Sequence, residues 1–182
     1  SVRHVLDPLD QRLEVLARAG LYYLPEYAAL PWTMALEEIF RTAAMLWGIA
    51  DYHAAVDRLY LKELLGAYPY ELSGGEQRRA ATALACIREP DVLLADEPFS
   101  GVAPLDAEIV GACLRDPTMK GASVIVTGHE VPVLLSLADD IVWMSGGSTH
   151  GIGSQEDALR HDQFRREYLG VSSGAPASWQ GR

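Results

Sequence analysis

The sequence predicts an α/β protein with a mostly parallel sheet and a helical subdomain. Two apolar runs, VLLA at 92–95 and SVIVTG at 123–128, alternate with helical segments. Such continuous apolar strands are typical of a parallel sheet that is covered on both faces. Two polar stretches stand beside these elements: SGGEQRRA opens a long helix, and DEPFSG follows the first apolar run. We therefore expect the chemistry of the protein at helix starts and strand ends.

Composition limits the class of protein. The 182 residues are 49% hydrophobic, which allows one domain with a small subdomain. A net charge of −10 without a basic patch excludes a general nucleic-acid binder. Backbone N–H groups could still bind a phosphate. The two cysteines, Cys86 and Cys113, stand in no metal or redox spacing, so we expect both to pack in the core of a protein from a reducing compartment.

The N-terminal half is predicted to be largely helical, with one early strand. The segment QRLEVLARAG reads as a short helix that Gly20 stops, and the LYYL that follows reads as a strand. Residues 34–66 are rich in Ala, Leu and Glu and predict two or three helical pieces. After the break at Pro69, a long helix is expected from about Gly75 to Arg88.

The C-terminal half is predicted to alternate between strands and helices. Its remaining elements are expected as helices at 105–114, 130–138, 154–160 and 162–169, and as a strand at 140–145 that turns at Gly146-Gly147 into STHGIG. The tail SSGAPASWQGR is predicted to be disordered.

Two acids follow the VLLA strand at the edge where ligands sit in parallel α/β sheets. Asp96 suits direct or indirect coordination of Mg²⁺, whereas Glu97 can accept a proton from an attacking water. Gly128 lets the chain turn after the next strand and presents His129 at the same edge. A pair of turn or helix-capping acids is the alternative interpretation.

The glycines of SGGEQ point to an anion. Two glycines inside a helix cost about 1 kcal/mol each relative to alanine, but much less at its N-terminus. There they leave backbone N–H groups open to close approach. Gly74 and Gly75 therefore predict a helix end that touches a negative group.

Three motifs together carry a family resemblance. LSGGEQRRA, VLLADEPFSG and VTGHE, in this order and spacing, resemble the signature motif, the Walker B segment and the switch histidine of ABC-type ATPases. The resemblance covers about residues 18–170, and FRREYLG at 164–170 is similar to the end of the branched-chain amino acid and lipopolysaccharide-export branch. It implies the P-loop NTPase fold, here N-terminally incomplete.

The resemblance implies half of a composite ATP site. ATPases of this family work as head-to-tail dimers that hold ATP between the subunits. Ser73, Gly74, Gly75 and Glu76 would then contact the ATP of a partner subunit, most simply a second copy of this chain. The helix dipole would favour the phosphate charge.

The resemblance also gives roles to the residues at the strand ends. Asp96 would support Mg²⁺, Glu97 would polarise the attacking water, and His129 would hold the γ-phosphate. These assignments make Glu97 and His129 the catalytic candidates.

The sequence departs from the family pattern at two places. Glu26 stands where the family has a Gln that senses Mg²⁺ and water, and it could still bind the cation indirectly, through a water molecule. Ala103 replaces the Asp of the family's SG-x-D-P segment. Asp106 follows three residues later, where it could cap the next helix.

No phosphate loop of the form G-x-x-x-x-G-K-[ST] is found in the 182 residues, since neither Lys62 nor Lys120 precedes Ser or Thr. The family carries that loop upstream of the matching segment. We expect a truncated sequence rather than a natural deletion, and no ATP turnover by the 182 residues alone.

These features predict a division into parts: a remnant of the N-terminal core at 1–29, a helical subdomain at 30–89, an α/β core at 90–170 and the tail at 171–182. In the family, the region at 27–39 faces the membrane partner. Packing of Trp32 and Met34 in the core of the subdomain is the alternative.

The leading hypothesis is the ATP-hydrolysing subunit of a bacterial ABC transporter. It would use ATP and Mg²⁺, form a dimer and bind a transmembrane permease at the cytoplasmic face of the membrane, with no nucleic-acid partner. A non-transport ABC ATPase and a catalytically silent interaction module are the alternatives.

Overall fold

A computed structural model describes residues 12–116 and 121–169. The chain forms two compact units, Ser1–His129 and Glu130–Arg182, and each is described by itself. The tail predicted at 171–182 lies outside the described residues.

The first unit is built from five helices and three strands among its described residues. They are α1 (Leu13–Arg18), β1 (Leu21–Leu24), α2 (Leu36–Trp47), α3 (His53–Arg58), α4 (Gly74–Arg88), β2 (Val92–Ala95), α5 (Pro104–Leu114) and β3 (Ser123–Val126), with short 3-10 turns at Lys62–Leu64 and Pro69–Glu71. The predicted elements of this part are confirmed, and α4 begins one residue earlier than predicted.

The three strands form one parallel sheet in the order β1-β2-β3. Leu24, Ala95 and Val126 lie side by side in the register and end their strands together. The parallel sheet predicted from the apolar runs is therefore confirmed. Because all three strands end at one level, the residues that follow them meet at a single edge.

Helix α4 forms the centre of this unit and packs against β1, α2, α3 and α5. Four of its eight buried positions are alanines, which allow neighbouring elements to approach closely. Arg78 is only 4% exposed, and its guanidinium donates to the Pro25 carbonyl at 2.7 Å. The hydroxyl of Thr82 donates to the Arg78 carbonyl at 2.9 Å. These bonds satisfy polar groups that burial would otherwise leave costly.

The second unit contains a hairpin and short helices. Its described elements are α6 (Val131–Leu137), β4 (Ile141–Ser145), β5 (Ser148–Gly153), α7 (Gln155–Arg160), α8 (Asp162–Phe164) and a π-helical turn (Arg165–Leu169). Strands β4 and β5 are antiparallel. Gly146 and Gly147 both have positive φ, 57° and 77°, as the predicted tight turn between twisted strands requires. The core packs Trp143 and Phe164 with Val131, Leu135 and Ala158.

Exposed apolar side chains follow β1. Trp32 is 56% exposed and Tyr27 is 80% exposed, whereas Met34 is partly buried. The alternative that Trp32 packs in the core is therefore wrong. Trp32 lies in a turn before α2, outside the helix whose buried residues include Leu36 and Phe40.

Within 12–116 and 121–169, no helix combines the length and the apolar composition that crossing a membrane would need. The boundaries predicted at residues 29, 89 and 170 stay predictions.

Candidate functional site

The candidate site lies at the carboxyl edge of the parallel sheet. The sheet ladder continues one residue beyond the strands: the Asp96 N–H donates to the Leu24 carbonyl and the Thr127 N–H donates to the Ala95 carbonyl, each at 2.9 Å. These bonds fix the backbone where the predicted acids leave the sheet. The side chains at this edge therefore start from a rigid base.

Asp96 is held by two hydroxyl groups. Thr127 Oγ1 donates to Oδ1 at 2.6 Å, and the Tyr23 hydroxyl donates to Oδ2 at 2.8 Å. Both bonds stabilise the carboxylate and hold the pKa of Asp96 below its ordinary value of 3.8, with the Thr127 bond contributing most. The bond to Asp96 also raises the pKa of Tyr23 above 10.0. Asp96 is thus fixed as an anion.

Tyr23 was not among the residues predicted for the site. The signal that could have found it is the strand register. Tyr23 pairs with Leu94, two residues before Asp96, so strand alternation places Tyr23 and Asp96 on the same face. That register becomes known only once β1 is seen to lie beside β2.

Glu97 faces a different partner. His129 Nδ1 lies 2.8 Å from Glu97 Oε2, and the Glu97 N–H donates to Thr127 Oγ1 at 3.1 Å. The Glu97 side chain is 27% exposed and the His129 side chain is 68% exposed. The structure therefore brings Asp96, Glu97 and His129 to one edge and gives the two adjacent acids separate contacts.

Glu97 also has an unusual backbone. Its φ of 46° lies in the left-handed region, which costs a non-glycine residue about 1–3 kcal/mol. The conformation turns the chain sharply after Asp96, so that the two neighbouring carboxylates diverge. Surrounding structure must hold Glu97 in place, and the bond from its N–H to Thr127 contributes to this.

Thr127→Val is expected to raise the pKa of Asp96 toward 3.8, because valine removes the hydroxyl that donates to the carboxylate. In the parent, the lowered pKa contributes stability that is present above pH 3.8 and is lost as the pH falls through the folded-state value. The variant should lose less stability over that acidic window.

Carbon-detected NMR titration of the Asp96 carboxyl would measure this pKa directly. Thr149→Val, on an exposed position of β5, is the matched control and should leave the Asp96 titration unchanged. An unchanged pKa in Thr127→Val would contradict the assignment of Thr127 as the main cause.

Glu26 lies just beyond β1 and is half-buried. Burial lowers the pKa of the Arg78 guanidinium, and the negative charge of Glu26 acts in the opposite direction. The charge of Glu26 also contributes to the raised pKa of Tyr23. Glu26 therefore lies close enough to both residues to influence them, and a cation at this carboxylate would share it with Arg78.

The first turn of α4 is fixed by a capping box. The Ser73 N–H donates to Glu76 Oε2 at 2.8 Å, and the Glu76 N–H donates to Ser73 Oγ at 3.3 Å. Ser73 Oγ also donates to Glu76 Oε2 at 2.7 Å. The bonds from Ser73 lower the pKa of Glu76. Glu76 thus serves the cap, and the N–H groups of Gly74 and Gly75 belong to the first turn, which has no acceptors within the helix.

The two glycines of this turn have different surroundings. A Cβ placed on Gly74 would meet nothing within 4 Å, whereas one on Gly75 would lie 1.9 Å from Asp106 Oδ2. The opposite oxygen of Asp106 lies 2.8 Å from Arg79 Nε in an ion pair. Gly75 is therefore required by the close approach of α5, in addition to any ligand.

Asp106 does not cap α5, so that expectation is wrong. The N-cap is Ala103, which offers no side-chain acceptor, and Pro104 begins the helix. Asp106 is the third residue of α5, within its first turn, and pairs with Arg79 of α4 instead. The pairing partner lies 27 positions away in sequence, which local capping rules cannot reveal.

Gly75→Ala is expected to destabilise the protein by about 1–3 kcal/mol, since the new methyl group must displace Asp106 from Arg79. Gly74→Ala is the matched control in the same turn and should be neutral or slightly stabilising, because its methyl group has open space. Urea unfolding followed by circular dichroism measures both. Equal stability of the two variants would contradict the close contact.

The residues at the sheet edge have the chemistry to hold a hydrated Mg²⁺ ion. Asp96 is an anion whose two oxygens each accept one hydroxyl bond, and a carboxylate has about four lone pairs in all. It therefore keeps acceptor capacity for the water shell of Mg²⁺, an ion that retains several waters when bound. Glu97 and His129 lie beside it with side chains that solvent reaches.

Comparison with known proteins identifies one family. Residues 6–100 match the family model described as "ABC transporter", and these residues are more than half of the 182. They include the capped helix α4 and the acid pair that follows β2.

Several curated relatives match over longer stretches. An uncharacterized ABC transporter ATP-binding protein of Rhizobium meliloti is 32% identical over 165 residues, which are 85% of this chain and 59% of the relative. The lipopolysaccharide export system ATP-binding protein of Acidithiobacillus ferridurans is 30% identical over 90% of this chain and 68% of its own length. The L-cystine import ATP-binding protein TcyN of Bacillus subtilis is 39% identical over 58% of this chain and 41% of its own length.

A solved structure described as an ATP binding subunit of an ABC transporter has the same fold. It matches with a TM-score of 0.67 at 24% identity, over 91% of this chain and 70% of that one. The chain spans about half the length of several curated relatives, including 59% of the protein from Rhizobium meliloti and 41% of TcyN.

Proposed function

The chain belongs to the ABC transporter family, and from this membership we propose that it is part of an ATP-hydrolysing subunit that drives a separate membrane protein. The observation that carries the proposal is the contact of 2.8 Å between Glu97 and His129, beside the ionised Asp96 at one sheet edge. A general base needs a position within reach of water and a group that orients it. Glu97 has both.

In the proposed reaction, Glu97 orients a water molecule and accepts its proton as the oxygen attacks the γ-phosphorus of ATP. The bond between the γ-phosphorus and the bridging oxygen breaks, and ADP leaves with that oxygen. The left-handed backbone directs this carboxylate away from that of Asp96, so the two acids can act separately. His129 contacts Glu97 through Nδ1, and its imidazole is the proposed ligand of a γ-phosphate oxygen. The base Glu97 and the phosphate-binding His129 are thus already in contact when the water attacks. Such fixed positions of the reacting groups are a main source of catalysis in phosphoryl transfer.

Asp96 is the proposed holder of Mg²⁺, acting through the water shell of the ion. The ion, when bound with ATP, neutralises the charge that develops on the phosphate oxygens. Thr127 and Tyr23 keep Asp96 ionised and fixed for this role. Glu26 is the proposed second, indirect ligand, with its charge shared with Arg78.

The N-terminus of α4 is the proposed contact to ATP held by a partner subunit. Ser73 and Glu76 hold the first turn in a fixed conformation, and Gly74 leaves the backbone open on one side. The N–H groups and dipole of a helix start favour phosphate. We propose a second copy of this chain as the partner, arranged head to tail.

The membrane partner is proposed to dock beside the segment after β1. Tyr27 and Trp32 expose large aromatic surfaces there, and aromatic side chains are enriched at protein interfaces. The relatives are named for both lipopolysaccharide export and cystine import. We therefore propose the step that such systems share, which is ATP hydrolysis that drives a membrane protein. The permease would hold the subunit at the cytoplasmic face of the membrane.

The test is reconstitution of the protein from its full open reading frame with the membrane protein encoded beside it. Expected results are co-purification of the two proteins and Mg²⁺-dependent ATP turnover in lipid nanodiscs. Trp32→Ser should weaken co-purification without changing the circular dichroism spectrum. A folded complex without ATP turnover would refute the enzymatic function and favour an interaction module.

A further inference from the structure

The chain's two cysteines meet in the packed interface between α4 and α5. Cys86 lies in the last turn of α4 and Cys113 lies in the last turn of α5. Both are free thiols, and their sulfurs are 2.6 Å apart. The 27-residue separation gives no sign of this contact, which arises because the two helices pack side by side.

We propose that Cys86 and Cys113 are a modification site, a dithiol that a hydroperoxide converts reversibly into a disulfide joining α4 to α5. A disulfide has a sulfur–sulfur distance of about 2.05 Å, so the sulfurs need to approach by only about 0.5 Å. The two thiols therefore already lie close to bonding distance. This inference does not depend on the proposed ATPase function.

The surroundings divide the roles of the two thiols. The hydrogen bond from Cys86 lowers the pKa of Cys113, and the nearby Arg58 guanidinium acts in the same direction. The same thiol–thiol bond and burial raise the pKa of Cys86. Burial of Cys113 acts in the opposite direction, yet the net lowering of its pKa favours the thiolate, the form that reacts with peroxide, at Cys113.

Arg58 is itself held in place for this contact. Its guanidinium pairs with Asp116, and its Nε donates to the Ala54 carbonyl at 3.1 Å. The cation thus remains beside the cysteine pair as part of the packed structure. Coulomb attraction from a fixed, partly buried cation is screened less by solvent than attraction from a mobile surface cation.

The oxidation proceeds in two balanced steps. The Cys113 thiolate attacks one oxygen of hydrogen peroxide, the O–O bond breaks, and the departing hydroxide takes up a proton to become water. The resulting sulfenic acid is attacked by the Cys86 sulfur, which forms the S–S bond and loses its proton to the departing hydroxide. Overall, the two thiols lose two electrons to the peroxide, and two water molecules form.

The disulfide would close a loop that contains residues of the candidate site. Residues 86–113 include Asp96 and Glu97 together with the start of α5. A cross-link between the far ends of α4 and α5 limits the conformations of the unfolded chain. We expect the oxidised protein to unfold at a higher temperature than the reduced protein.

The experiment uses the purified 182-residue chain, after circular dichroism has confirmed that it is folded. The chain is fully reduced and then treated with hydrogen peroxide at about one molecule per chain. Intact mass spectrometry follows denaturation and alkylation of remaining thiols. The expected product is a monomer that has lost two hydrogen atoms and takes up no alkylating reagent. A dithiol reductant should restore both alkylation sites. Because the sequence contains two cysteines, this readout has one interpretation.

Cys86→Ala and Cys113→Ala are the controls, since each leaves a single thiol. These variants should gain oxygen atoms or form dimers, and neither should lose two hydrogens as a monomer. The proposal is overturned if the parent chain keeps both thiols, gains oxygen at each sulfur separately, or forms only intermolecular disulfides. The parent protein alone decides the result, so a variant that folds poorly does not obscure it.

Discussion

Glu97→Gln is expected to lower ATP turnover by about 10²–10⁴-fold, the usual effect of removing a general base. Glutamine keeps the size of the side chain but cannot accept the proton of the attacking water. Nucleotide binding should remain, since Asp96 keeps its bonds from Thr127 and Tyr23. An ATP-bound dimer should therefore accumulate.

Turnover and size-exclusion chromatography with ATP would be measured on the protein from its full open reading frame. Glu89→Gln is the matched control, because Glu89 is the same residue type and has a similar left-handed φ of 49°, at the end of α4. This control should hydrolyse ATP at the parental rate. If Glu97→Gln also keeps that rate, Glu97 is not the base.

Ser73→Arg is expected to abolish the ATP-dependent dimer and, with it, ATP turnover. The substitution removes the capping hydroxyl and places a bulky cation where the proposed partner's phosphate would lie. Loss of a cap costs about 0.5–2 kcal/mol of stability, which alone would not prevent folding. Binding of ATP to the separate subunit should be nearly unchanged, because α4 is proposed to face the partner's nucleotide.

Ser154→Arg separates capping from partner contact. Ser154 caps α7 with the same geometry, since its N–H and its Oγ donate to Asp157 at 3.0 and 2.6 Å. This variant should lose similar stability and keep the ATP-dependent dimer. Loss of ATP binding by a folded Ser73→Arg monomer would contradict the assignment of α4 to the ATP of the partner subunit. An intact ATP-dependent dimer of Ser73→Arg would contradict it as well.

Local signals in the sequence predicted most of the fold. Apolar runs ended by acids or glycines located β2 and β3, and the serine before Gly74 marked the start of α4. The shared sheet edge followed because parallel strands end at one level, which brought His129 and Glu97 into contact. These features depend on short segments and on one general rule of sheet topology.

The sequence did not predict contacts that depend on the packing of distant elements. Tyr23 reaches Asp96 because β1 and β2 are neighbours in a particular register. Cys86 meets Cys113 because two helices align at their last turns. Trp32 carried no local signal that separates an exposed aromatic residue from a buried one, so both interpretations stayed open until its exposure was known.

Because Gly75 and Asp106 share one space, we expect the effects of substitutions at the two positions to be coupled. The three atoms nearest to a Cβ at residue 75 all belong to the side chain of Asp106. A homologue with alanine or glycine at residue 106 could therefore accept alanine at residue 75, although it would lose the partner of Arg79. The fitness effect of one substitution depends on the genetic background at the other, so neither position can be scored alone in a mutational scan.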